Sequence, residues 1–254
     1  GKQLAAEVHL WALRLDKELW TFTHQWQKSK ALYASVQATN ESDLILSPEL
    51  LKRLHRDTNT FFESRDIYKS INAPWKRGLL LIGPPGNGKT GALQVLLKSM
   101  SHIPVLYVKS CGHAPPSISA IFGKARQTSP CILVFEDLDA LINDMTRAYF
   151  LNEVDGLENN DGILMIATTN HPERIDDAIM KRPSRFDSKY IFGLPDHNLR
   201  KRFILKWLYE KVRDTSIDFD SREYSNPGVS DIDSLADHIA SKTEGWSFAF
   251  LKEL

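Results

Sequence analysis

Residues 83–90 read Gly83-Pro84-Pro85-Gly86-Asn87-Gly88-Lys89-Thr90, directly after the apolar run 79–82 and ahead of a segment, 90–100, with apolar residues at helical spacing. Few features restrict a fold so tightly. The glycines let successive backbone N–H groups turn toward an anion, and a helix that starts there adds its positive end. This is the pattern of a phosphate-binding loop, in the strand–loop–helix setting that the pattern requires. In that setting Lys89 would reach β- and γ-phosphates, and the Thr90 hydroxyl would ligate magnesium.

The chain around the loop continues the alternation. Runs 78–82, 104–108, 131–135 and 162–167 have the length and composition of strands buried on both faces, and segments 90–100, 118–127 and 147–154 carry helix-period apolar residues between them. This predicts an α/β fold, a parallel sheet with crossover helices, with a fifth strand at 189–192. After Leu194-Pro195-Asp196 the pattern becomes helical, over 197–211 and 232–240, and a further helix starts at Phe248 just before the last residue, Leu254. Three parts follow: an N-terminal adaptor segment 1–42, an α/β nucleotide-binding unit 43–193, and a small helical unit 194–254, expected to be incomplete. In the first part Leu4, Val8, Trp11, Leu15 and Leu19 fit a helical stripe. Residues 10–15 and 19–23, flanking Asp16-Lys17-Glu18, also fit a hairpin rich in Trp, Phe and Thr, and strands are the favoured reading. Trp11, Trp20 and Trp26 read as packing aromatics.

Composition narrows the function classes. The 254 residues carry 32 Lys plus Arg against 32 Asp plus Glu, so no net basic field favours nucleic acid or an anionic membrane. No apolar run approaches the roughly 18 residues of a spanning helix. Two cysteines, Cys111 and Cys131, build no disulfide framework and suit a reducing, intracellular compartment: cytoplasm, nucleus or mitochondrion. The chain starts with Gly1 and Lys2 rather than Met, so a fragment is expected.

Three further elements carry chemistry. The apolar run 132–135 ends in Glu136-Asp137-Leu138-Asp139, which delivers carboxylates to the C-terminal edge of a sheet, where ligands of open α/β folds bind. One carboxylate would hold magnesium and the other would polarise a water, so Thr90, Glu136 and Asp137 are the candidate metal ligands. Another strand ends in Thr168-Thr169-Asn170. If it lies beside the loop strand, Asn170 can hydrogen-bond the attacking water or the γ-phosphate; a turn or cap is the alternative. Lys181-Arg182-Pro183-Ser184-Arg185-Phe186-Asp187 puts two arginines on a proline-stiffened loop, either a solvated turn or fingers that stabilise charge on a transferring phosphoryl group.

In this order the elements resemble the AAA ATPases, the ring-forming branch of the phosphate-loop NTPases. GPPGNGKT is similar to their Walker A, LVFEDLDAL to Walker B, ATTN to sensor 1 and KRPSRFD to the arginine-finger region, over roughly residues 43–254. PWKRGLLLIGPPGNGKT, YFLNEVDGL and RPSRFD further resemble the subgroup that contains the mitochondrial chaperone assembling the cytochrome bc complex, and its soluble fungal relatives. The resemblance implies ATP or ADP held by Gly83, Pro84, Pro85, Gly86, Asn87, Gly88, Lys89, Thr90 and Gly91, with Mg2+ as cofactor and Asn170 as sensor. Arg182 and Arg185 would reach into a neighbouring subunit's site, so the implied assembly is a homo-oligomeric ring, a hexamer or heptamer. Residues 243–248, Gly245 among them, are similar to the start of the lid helix over adenine and ribose.

Two departures bear on activity. The family's usual Asp-Glu is here Glu136-Asp137, which sets Glu136 at the metal and Asp137 as the base; an Asp is one methylene shorter, so slow hydrolysis is expected. The loop after the second strand, Ser110-Cys111-Gly112-His113-Ala114-Pro115-Pro116, lacks the aromatic grip of protein-threading members. The leading expectation is Mg-dependent ATP hydrolysis coupled to remodelling, translocation or assembly of an unknown protein substrate. The alternative is a slowly hydrolysing, nucleotide-gated assembly scaffold; a nucleic-acid motor ranks last, and no nucleic-acid partner and no membrane segment are expected.

Overall fold

Alternation along each strand divides the apolar side chains between two faces, and the structure is built on that division. A computed structural model describes residues 15–111, 115–155, 159–182, 184–214 and 232–253. The strands are β1 (Leu19–Phe22), β2 (Trp26–Ser29), β3 (Lys76–Ile82), β4 (Val105–Val108), β5 (Cys131–Phe135), β6 (Ile163–Thr169) and β7 (Ser188–Ile191). They form one sheet in the order β2-β1-β4-β5-β6-β3-β7, parallel throughout except for the β1–β2 pair. The principal helices are α1 (Lys30–Ala38), α2 (Pro48–Glu63), α3 (Lys89–Ser99), α4 (Pro115–Thr128), α5 (Asp144–Asp155), α6 (His197–Asp214) and α7 (Ile232–Lys242). Among the described residues no helix is long and apolar enough to cross a membrane.

On one face Leu79, Leu81, Tyr107, Val134 and Ile166 pack with Leu93 and Leu96 of α3, Val36 of α1 and Leu54 and Phe61 of α2. On the other, Leu80, Leu106, Leu133 and Met165 meet Ile118 and Phe122 of α4 and Phe150 of α5. Phe122, Phe135 and Phe150 form a triangle with ring centroids 5.4–6.1 Å apart. Burial on both faces is what a parallel sheet demands of its strands, and it explains the near-continuous apolar runs.

The N-terminal hairpin exists, with a different second arm from the expected one. β1 takes up residues 19–22 of the predicted 19–23, but its antiparallel partner is β2, which follows it, with Phe22 opposite Trp26. Phe22 and Trp26 lie 5.2 Å apart, and Phe22 is buried in the sheet core. The predicted arm 10–15 lies outside the described residues except Leu15. β1 also runs parallel to β4, Trp20 beside Leu106, so this hairpin lengthens the parallel sheet at its β4 edge. Helix α2 fell between the predicted elements. Its Pro at the first turn after Ser47, and the buried stripe Leu54, Thr58 and Phe61, are the signals that mark it.

α6 and α7 form a separate small core, where Ile204 and Leu208 meet Ala236 and Ala240, closed by Phe248 and Leu251 of the one-turn helix Phe248–Leu251. Ile45, from the stretch before α2, belongs to this same cluster. Lys206 of α6 reaches back to Asp43 at 2.7 Å, so the connector and the helical unit are fastened to each other.

Candidate active site

The loop 83–88 joins β3 to α3, and backbone geometry explains its glycines. A Cβ on Gly83 would stand 2.0 Å from the Phe192 carbonyl oxygen, so a side chain there would push apart the loop and the chain leaving β7. Gly86 has φ of 77°, the left-handed region, and a Cβ there would lie 2.4 Å from Cβ of Ala249 in the helical unit. Helix α3 begins with no side-chain cap, so its first N–H groups remain available to an anion. Gly91 lies in the first turn of α3, facing Leu44, and Gly245 occupies a turn with φ of 80° ahead of Ser247, the cap of the helix that carries Ala249.

Lys89 is buried, and its Nζ donates to the carbonyl oxygens of Gly83 at 2.6 Å and Pro84 at 2.9 Å. Burial pushes its amine below the ordinary lysine range, and the carboxylates of Asp137, Asp139 and Glu136 pull it back up. Asn87 is 1 % exposed, and among the described residues neither its Nδ2 nor its Oδ1 has a hydrogen-bond partner. Buried polar atoms left without partners are costly, and a bound polar ligand would relieve them.

Strands β5 and β6 bring the acids to the loop. The Thr90 hydroxyl donates to Glu136 Oε1 at 2.7 Å, and the Tyr107 hydroxyl donates to Glu136 Oε2. Burial first, and the neighbouring Glu136 carboxylate second, push the Tyr107 phenol far above its ordinary value, so it stays a protonated donor. Asp137 stands in the left-handed region with φ of 51°, uncommon for a residue with a side chain and tolerated best by Asp and Asn. Two bonds hold it there: its N–H donates to Thr168 Oγ1 at 2.9 Å, and Asn170 Nδ2 donates to its Oδ1 at 2.8 Å. Thr169 is spent differently, donating to Asp139 at 2.7 Å. Because β6 lies between β5 and β3, Lys89, Thr90, Glu136, Asp137 and Asn170 gather at one edge, beside the point where the strand order reverses.

The two arginines, expected as a matched pair, differ. Arg185 has a side chain 4 % exposed and grips Asp155 with both arms, Nε to Oδ1 at 2.8 Å and Nη2 to Oδ2 at 2.6 Å, while Nη1 donates to the Ala178 carbonyl. Arg182 is 62 % exposed and touches the same carboxylate from outside, at 2.9 Å. The Arg185 hydrogen bonds hold Asp155 below the ordinary carboxylate range.

Residues 79–194 match the family described as ATPase family associated with various cellular activities (AAA). The chain belongs to the AAA ATPase family. It is 30% identical over 193 residues to the ATP-dependent zinc metalloprotease FtsH 1 of Methylacidiphilum infernorum, across 68% of this chain and 30% of that protein. It is also 30% identical over 222 residues to the ATPase family gene 2 protein of Schizosaccharomyces pombe, across 82% of this chain and 25% of that one. An FtsH protease of Lancefieldella parvula is 29% identical over 208 residues, across 74% of this chain and 32% of its own length. The chain thus spans about a third or less of these AAA relatives.

The AAA match begins on β3 and ends just after β7, so it contains the phosphate loop, both acids, Asn170 and both arginines. Two residues of the site had no sequence signal as such. Tyr107 stands in a strand otherwise made of Val and Leu, and Asp155 closes a helix; each is revealed by the register and packing that set it against its partner.

Proposed function

We propose that this AAA chain hydrolyses ATP with magnesium as part of a homo-oligomeric ring, hexameric or heptameric, and that hydrolysis drives remodelling, translocation or assembly of a protein substrate. The observation that carries the chemistry is the convergence of Lys89, the Thr90–Glu136 pair and the Asp137–Asn170 pair at one sheet edge. The residues present fit a metal-bound triphosphate: a buried ammonium, an unpartnered Asn87, bare helix N–H groups, and hydroxyl and carboxylate oxygens side by side. Lys89 and the loop N–H groups bind the phosphates. Thr90 and Glu136 hold magnesium, which when bound offsets charge on the phosphate oxygens. Asp137 accepts the proton of the attacking water, and Asn170 orients both. Arg182, the exposed arginine, serves the neighbouring subunit, while Arg185 positions the loop that presents it. A protein as the object of the work is supported by the resemblance and by relatives named as ATP-dependent proteases.

The Glu136-Asp137 order favours a second reading, a nucleotide-gated scaffold that hydrolyses too slowly for mechanical work. Turnover measured with magnesium and with EDTA, over a range of protein concentrations, separates the two. The motor reading expects a magnesium-dependent rate that climbs as subunits assemble. A rate that stays negligible once rings have formed favours the scaffold, and failure to bind ATP overturns both.

A further inference from the structure

Tyr107 has no place in the phosphate loop or the acid pair, yet its hydroxyl ends on the carboxylate assigned to the metal. It stands on β4 opposite Val134 of β5. Glu136 follows two residues after Val134, so the side chains of Tyr107 and Glu136 leave the same face of the sheet. The ring is packed in the core with Val134 and Leu96, 7 % exposed, so the position of its hydroxyl is set by the fold. Glu136 is therefore held at both oxygens, Oε2 by Tyr107 and Oε1 by Thr90.

This double hold answers a specific difficulty. A glutamate in the metal position has one more rotatable bond than an aspartate, and fixing a long side chain at the moment of binding costs affinity. A rigid donor on the far oxygen meets that cost during folding, before the cation arrives. The phenol is suited to the task, because it donates without bringing a positive charge that would repel a divalent cation, as a lysine there would.

We propose that Tyr107 is a positioning residue for magnesium: its hydroxyl fixes Glu136 so that Oε1 and the Thr90 hydroxyl face the cation as a preformed pair. The proposal rests on the assignment of Thr90 and Glu136 to the metal made above.

The test is binding of a fluorescent ATP analogue to the full chain, first in EDTA and then across a magnesium titration, run below the melting transition of each variant. Tyr107→Phe removes the hydroxyl and keeps the ring. Its affinity in EDTA is expected to equal that of the unaltered chain, while the magnesium concentration giving half the metal-dependent gain rises at least about tenfold, the usual cost of losing a partner behind a metal ligand. In a Glu136→Gln background the same change is expected to add nothing, because the carboxylate it steadies is gone. An unchanged magnesium midpoint in Tyr107→Phe overturns the proposal and leaves the metal assignment standing. An equal loss of affinity with and without magnesium also overturns it, since that marks a merely structural role. If the unaltered chain shows no response to magnesium, or Glu136→Gln does not weaken that response, the assignment itself fails and the proposal with it.

Discussion

Asp137 and Glu136 are neighbours in the chain with separate partners, and their partners separate their tasks. Glu136 is bonded to Thr90 and Tyr107; Asp137 is turned by its left-handed backbone toward Asn170. Asp137→Asn preserves size and removes the proposed base, so turnover is expected to fall by about 10²–10⁴-fold while magnesium-dependent nucleotide binding is retained. Turnover that survives this change, measured beside binding of a fluorescent ATP analogue, would refute the assignment. The two arginines part in the same way. Arg185→Met leaves Asp155, one-third exposed, with Arg182 as its remaining ion-pair partner, so the loss of folding stability is expected at about 2–3 kcal/mol, below the roughly 3–5 kcal/mol of a fully buried pair that loses one member. Arg182→Ala is expected to shift stability by less than about 0.5 kcal/mol. Urea denaturation measures both. The Asp155 pairing contributes fully above the ordinary Asp value and fades as pH falls through the lowered one, so the gap between Arg185→Met and the unaltered chain is expected to shrink in acid. The sequence makes Lys89, Thr90, Asp137 and Asn170 legible because each ends a strand or starts a helix at a fixed spacing. It conceals the difference between Arg182 and Arg185, because that depends on Asp155, which is distant in the chain and adjacent in space.

At the scale of elements, the strands that flank the loop were readable because burial on both faces leaves an uninterrupted apolar run, whose shortness and flanking Gly and Pro separate it from a buried helix segment. The N-terminal strands were harder, since β1 is short and its two partners are of opposite kinds. One is the local antiparallel β2 and the other the parallel β4, more than eighty residues away, which no local pattern encodes. That pairing has a thermodynamic consequence. Phe22 is 2 % exposed and packs in the same core cluster as Leu106 and Val108 of β4 and Phe135 of β5. Phe22→Ala is therefore expected to destabilise the nucleotide-binding core by about 3–5 kcal/mol. Emission of the six tryptophans, among them Trp20 and Trp26 in the hairpin strands and Trp75 in the opposite core, is expected to report one transition moved to lower urea. A hairpin that folds as a unit of its own would instead give two transitions, with the second unmoved.

For the whole molecule, zero net charge conceals a sorted surface. Lys89 is turned inward to its own loop, whereas Arg182, paired with Asp155, keeps most of its side chain exposed. An exposed arginine can act on phosphate if a second copy brings its loop to meet it, and a head-to-tail contact of this kind gives the ring proposed above when its rotation closes. In the proposed ring activity would be a property of pairs, and pairs can be complemented. On that proposal a Lys89→Ala subunit would lose its hold on phosphate but still offer Arg182, and an Arg182→Ala subunit would bind phosphate but offer no finger. Each alone is expected to lose turnover by about 10³-fold or more. Mixed in equal amounts and allowed to exchange, random assembly sets the intact loop of one against the intact arginine of the other at about a quarter of the contacts, and turnover is expected to recover toward that fraction. The recovery should grow with protein concentration and vanish when preformed, non-exchanging assemblies of each variant are combined. If Arg182 acted within its own chain, every subunit in the mixture would remain defective and no recovery would be measured at any concentration.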